Sequence, residues 1–118
     1  MPAFSGKELD RWAILPAMDP QKMREMLAGI WERHKPEMDE RLAVLERASH
    51  LLGNRDLTPQ ERSDAVYAAH KLAGALGTFG RAEGSAIARS LERCLEGGGP
   101  PDSDISDAIV RLRAIIND

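Results

Sequence analysis

Apolar residues recur every three or four positions through most of the chain, the spacing that lays one apolar face along an α-helix. The longest such run extends from Asp19 to about Leu52, with Met23, Leu27, Ile30, Met38, Leu42, Leu45 and Leu52 on one stripe and Met26 and Trp31 beside it. Asp19 is placed to cap this helix and Pro20 to occupy its first position. Pro36 lies inside the run, where it removes one backbone donor and crowds the preceding turn, so a kink near His34 is expected rather than a break. Thr58, Pro59 and Glu61 form the next start signal, a capping box with proline at the first helical position. That helix is expected to reach about Thr78, with Gly80 as its stop. Another follows from about Arg81 to Glu96, carrying Gly84, Ile87, Ala88, Leu91, Cys94 and Leu95 on one face until "GGGPP" breaks it. The last, capped by Asp102 or Ser103, has Ile105, Ala108, Ile109, Leu112, Ile115 and Ile116 as its stripe.

One long and three shorter amphipathic helices joined by brief turns predict an all-α fold, an antiparallel up-down four-helix bundle over residues 19–118. Ahead of it, Ser5 and Glu8 make a further capping box for a short extra N-terminal helix within residues 1–18, stopped at Pro16. Phe4, Leu9, Trp12 and Leu15 would lay that helix over an end of the bundle. The "GGGPPDS" segment reads as a connector inside one domain, because too little chain follows it to fold alone.

The 118 residues suffice for one domain with a real core, and a net charge of -3 argues against a phosphate-backbone binder, which needs a basic face. No nucleic-acid partner is expected. No apolar run approaches the roughly 20 residues required to span a bilayer, and the first residues lack a signal-peptide pattern, so no membrane partner and a cytoplasmic location are expected. Cys94 is the single cysteine, which leaves no internal disulfide and reads as packing.

The helix expected over Pro59 to Thr78 departs from the pattern at "AHKLAGALGTFG", where His70 is followed by glycines at positions 74, 77 and 80. On a wheel of about 100° per residue, Ala65, Val66, Ala69, Leu72, Ala73 and Leu76 form the core face. His70 falls roughly a third of a turn away, and Ser63, Gly74 and Gly77 share its side. Each interior glycine costs about 0.8–1 kcal/mol relative to alanine. The glycines could let a neighbouring helix approach; alternatively they open a shallow bay in which a partner brings a reacting atom to the imidazole. Their position on the histidine's side favours the bay. An exposed imidazole near neutral pH offers a lone pair and is a competent nucleophile toward an activated phosphoryl group. Lys71 is close enough to offer positive charge to phosphate oxygens. His34 and His50 have no Glu-x-x-His partner, so no metal site is expected.

At these residues the sequence resembles the histidine-containing phosphotransfer (HPt) domains of bacterial multistep phosphorelays. "HKLAGALGTFG" followed by "RAEGSAIARSLERCLE" matches the family's histidine, the glycine at Gly74, the further glycine at Gly80 and the closing Leu95-Glu96. The resemblance covers about Val66 to Glu96. It departs from the family at Ala73, where lysine is common and here stands at Lys71 instead. It departs also at Glu92, where the family often has a glutamine bonded to the imidazole. A carboxylate accepting from Nδ1–H would fix the tautomer and leave Nε2 to attack.

The resemblance implies a phosphotransfer intermediate without kinase activity of its own: His70 accepts a phosphoryl group from a receiver-domain phospho-aspartate and passes it to another receiver. The imidazole is then expected to be supported by Glu92 and the phosphoryl group by Lys71, with access, from the wheel, through Gly74 and Gly77 and docking at Tyr67 and Ser63. The expected partners are response-regulator receivers and a hybrid histidine kinase, met by a monomer. No cofactor is expected on this chain, with Mg²⁺ supplied by the receiver. The alternative is an HPt-like interaction module that binds a receiver or kinase without being phosphorylated.

Overall fold

The computed structural model describes residues 19–98 and 102–117. The helix expected within residues 1–18, with Ser5, Glu8 and Trp12, lies outside them. Four α-helices account for most of the described residues: α1 Pro20–Gly53, α2 Pro59–Thr78, α3 Ala82–Arg93 and α4 Asp102–Ile116. The chain divides into two compact units, Met1–Arg33 and His34–Asp118. In the first, Trp31 is buried while Met23, Met26 and Leu27 stand roughly half exposed. The helical hydrogen-bonding pattern of α1 continues through Pro36 as one element.

The second unit is an antiparallel bundle, and its side-chain pairs show the topology directly. Between α1 and α2, Arg41 lies over Tyr67 and Arg47 meets Glu61, so one helix rises as the other falls. Between α2 and α3, His70 meets Glu92 while Gly77 faces Ser85. Glu83 with Arg111 joins α3 to α4, and Ser49 with Ser106 and Glu46 with Arg113 return α4 to α1. Each helix therefore packs on the two beside it, in up-down order.

The inward stripes fill the space between. Met38, Leu42 and Leu45 of α1, Leu72 and Leu76 of α2, Leu91 of α3 and Leu112 and Ile116 of α4 are almost completely covered. Facing them, α2 contributes Ala65, Ala68, Ala69 and Ala73. Ala68 is buried and Val66 only half-buried, so the core face is turned slightly from the one the wheel assigned. Such small side chains let α3 come close to α2. At Gly84 an added Cβ would meet Leu76 Cδ1 and Ile115 Cγ2, each at 3.1 Å. Ser85, the one buried polar side chain among the described residues, donates its hydroxyl to the Ala73 carbonyl at 2.8 Å, which fixes the register of the two helices.

The ends of α2 follow the sequence signals, whereas α4 already begins at Asp102, so Asp102 and Ser103 lie in its first turn instead of capping it. Thr58 Oγ accepts from Glu61 N–H at 3.1 Å, while the Glu61 carboxylate accepts from Thr58 N–H at 3.2 Å and from its hydroxyl at 2.9 Å. At the other end of α2, Gly80 takes φ +75°. Its N–H donates to Gly77 O and that of Arg81 to Leu76 O, the paired bonds of a Schellman stop. After α3 a π-type turn, Cys94–Gly98, ends the element where Gly97 reaches φ +101°. Arg62 on α2 donates to the Leu95 carbonyl in that turn at 2.6 Å.

Two outcomes follow for stability. Replacing Gly84 by leucine forces four further heavy atoms between Leu76 and Ile115 and should lower stability by about 2 kcal/mol, read as a lower urea midpoint; an unchanged midpoint would contradict the close approach of α3. The bonds from Thr58 hold the Glu61 carboxyl below its usual range. Because the folded value is the lower one, this contribution is complete above the ordinary glutamate range and is lost as pH falls through the folded value. Glu61→Gln should therefore flatten that part of the acid limb in pH-dependent unfolding.

Candidate functional site

Core packing on one side of α2 aims the next residue outward. Ala69 is fully buried, whereas the His70 side chain is 69% exposed, the accessibility a nucleophile needs for a protein-sized partner. Its Nδ1 lies 3.0 Å from Glu92 Oε1 on α3. An ionised carboxylate can only accept, so Nδ1 donates in this contact, and in the neutral ring this tautomer leaves the lone pair on Nε2. Glu92 is itself only 22% exposed, and its partial covering holds the carboxylate against the ring.

The opposite flank of α2 opens into a depression of about 420 Å³ shared with α1. His34, Glu37, Met38 and Arg41 line it from α1, and His70, Lys71, Gly74, Ala75 and Thr78 from α2. A Cβ at Gly74 would meet no atom within 4 Å, so this glycine borders open space beside the histidine. Gly77 requires a correction. A Cβ there would touch Ser85 Oγ at 3.4 Å, and the residue does not line the depression. It belongs to the seam with α3. Gly77 lies seven residues after His70, and Ser85 seven before Glu92, so the two pairs sit two turns apart in one antiparallel register.

Tyr67 does not line the depression itself but lies against Lys71 and Arg41, which do. Tyr67 is 57% exposed, and its ring lies 5.4 Å from Lys71 Nζ and 5.9 Å from Arg41 Cζ, both within cation–π range. Ser63 is exposed one turn earlier on α2 and does not border the depression. Ala73, at the place where lysine is common in the resembled family, is buried, and its carbonyl is engaged by Ser85. No charge reaches the site from position 73.

Two neighbours, Arg41 and Glu37, were not singled out in the sequence, and His34 was weighed there only as a metal ligand beside the expected kink. Arg41 donates to Glu37 one turn away. His34 packs its ring against Phe79, with centroids 5.8 Å apart. The hydrogen bond and charge of Arg41, with smaller contributions from the charges of His34 and Lys71, hold the Glu37 carboxyl below its usual range. The i to i+4 spacing of Glu37 and Arg41 marked an ion pair on α1, but nothing local in the sequence placed that pair opposite Tyr67 and His70. Among the described residues no group of three or more His, Cys, Asp or Glu is placed to hold a metal ion. No described helix is long and apolar enough to cross a membrane.

An antiparallel four-helix bundle that presents a histidine to solvent with one ring nitrogen on a carboxylate of the next helix has the form of a histidine phosphotransfer module. The family comparison agrees: the chain belongs to the Hpt domain family, whose model matches residues 29–118. Hpt domains serve histidine phosphotransfer in phosphorelays, where they meet receiver domains and have no kinase activity of their own. The chain is also 37% identical over 84 residues to Protein RcaC of Microchaete diplosiphon, a match covering 71% of this chain and 13% of that protein. No solved structure matches.

The Glu92 contact makes a spectroscopic prediction. In ¹⁵N-detected spectra of the neutral form, His70 should show Nδ1 protonated and Nε2 bare, and Glu92→Ala should remove that bias. A wild-type ring protonated mainly at Nε2 would show that Glu92 does not orient it.

Proposed function

We propose that His70 is the phospho-accepting residue of this domain, taking a phosphoryl group from the phospho-aspartate of one receiver and yielding it to the aspartate of another. The observation that supports the reading most strongly is the pairing of an exposed imidazole with a carboxylate on its Nδ1 side. In the forward step the Nε2 lone pair forms the N–P bond while the P–O bond to the aspartyl carboxylate breaks, and that carboxylate leaves with the electron pair. Nδ1 retains its proton. The ring acquires positive charge as the bond forms, and Glu92 offsets it at 3.0 Å without moving a proton. The reverse step retraces this path with the second receiver's carboxylate as nucleophile.

In this reading the receiver brings the Mg²⁺ and most of the charge stabilisation, and the bundle needs no cofactor of its own. Gly74 leaves room for the partner's phosphate-bearing loop at the edge of the depression, and Tyr67 and Ser63 extend the contact along α2. The domain acts as a monomer, presenting one face to receivers and to the receiver of a hybrid kinase in turn.

Purified protein mixed with receivers from the same genome, each first labelled with radioactive acetyl phosphate and Mg²⁺, should acquire an acid-labile, alkali-stable phosphate that His70→Gln lacks. Gly74→Gln should retain the fold, with equal or higher stability because glycine leaves the helix interior, yet slow transfer by about tenfold or more. Tight binding of a labelled receiver without transfer to the wild-type protein would support the interaction-module alternative instead.

A further inference from the structure

Resting on that assignment of His70, we infer that Arg41 on α1, with Lys71, receives the phosphoryl oxygens on His70 in place of the cation missing at position 73, and that Glu37 is the resting counter-ion of Arg41. Position 73 cannot serve, since Ala73 is buried and its carbonyl is engaged by Ser85. Arg41 and Lys71 are the cationic side chains that border the same depression as His70, apart from His34 when protonated. Both are held there by one ring, that of Tyr67, at 5.9 and 5.4 Å.

Arg41 is further restrained. Its side chain is only 23% exposed, and its Nη2 donates to Glu37. Much of the entropy of ordering a long side chain is thus already lost before any phosphoryl group arrives. The guanidinium fork matches two oxygens of a phosphoryl group as it matches those of a carboxylate, whereas an ammonium acts as a point charge. Glu37 shows that a negative group is favoured in this place, because Arg41, His34 and Lys71 all stabilise its ionised form. A phosphoryl group on Nε2 would compete with Glu37 for Arg41, and the displaced carboxylate would then repel it. Arg41 attracts the group and Glu37 opposes it.

That opposition separates this role from a merely structural one. Arg41→Gln and Glu37→Gln break the same ion pair, so a structural role would move both variants in one direction. Phosphoramidate, a small phosphoryl donor, can label the histidine without any receiver; ³¹P spectra follow the appearance of phosphohistidine and its lifetime after the donor is removed. Labelling and lifetime should both fall roughly fivefold in Arg41→Gln, a reduced form of the effect of a buried anion-stabilising donor because the site is open to water. Arg41→Lys should recover part of the loss, Lys71→Gln should show a smaller decrease, and Glu37→Gln should label about twofold faster than wild type. Thermal unfolding of each variant checks that the bundle is intact. Equal labelling in Arg41→Gln and wild type, or a common decrease in Arg41→Gln and Glu37→Gln, would overturn the inference. A wild-type chain that labels no faster than His70→Gln would overturn the assignment of His70 and this inference with it.

Discussion

The contact on which the site depends lies in the seam between α2 and α3, less than one turn from His70 along α2 and two turns from Glu92 along α3. Ser85 reaches the Ala73 carbonyl across a seam that α2 lines with alanine and faces at Gly77. The bond satisfies a buried hydroxyl, whose loss of a partner would cost about 1–3 kcal/mol, and this penalty disfavours sliding of α3 along α2. With that register held, Glu92 must stand beside His70. The two rows repeat every seven residues, close to two helical turns, so the polar clasp in the core and the carboxylate at the surface are set by one alignment.

Close packing on one flank also makes space on the other. Helices α2 and α3 approach through small residues, while the α1 side of α2 meets longer side chains, among them Met38 and Arg41, and leaves the depression beside Gly74. The two glycines near the histidine therefore serve different ends. Gly74 leaves an opening toward α1, and Gly77 lies against Ser85 in the seam with α3. A helical wheel puts both on the histidine's side because it records direction around one axis and nothing about what occupies that direction.

This explains what could be read from the chain and what could not. The helices were legible because each stripe averages over many residues, and their ends because Thr58, Glu61 and Gly80 act on backbone groups only a few positions away. His70 was legible as an exception to a strong pattern. Glu92 was placed through the family resemblance rather than through periodicity. Arg41 and Glu37 were missed, and His34 was read without its relation to the site, because the relation of all three to His70 depends on the alignment of α1 with α2, a separation of some 30 residues that no local rule encodes. Val66 and Ala68 exchanged roles for a milder reason: a rotation of α2 by a fraction of a turn suffices, and ideal wheel angles carry that much error.

Exposure sets the energetic scale of the proposed phosphoryl chemistry. With the His70 side chain 69% open to water, neighbouring charges act through a high dielectric, where a single surface pair contributes at most about 1 kcal/mol. Several such contributions can tune the stability of phosphohistidine, but they cannot trap it as a buried pocket would. A relay intermediate benefits from that restraint, because strong stabilisation of the bound phosphoryl group would raise the barrier to giving it away. The docked receiver can exclude water and strengthen the same charges during transfer itself. An open histidine with weak, opposed neighbours is therefore suited to passing a group on, with selectivity set by the surface that meets the partner.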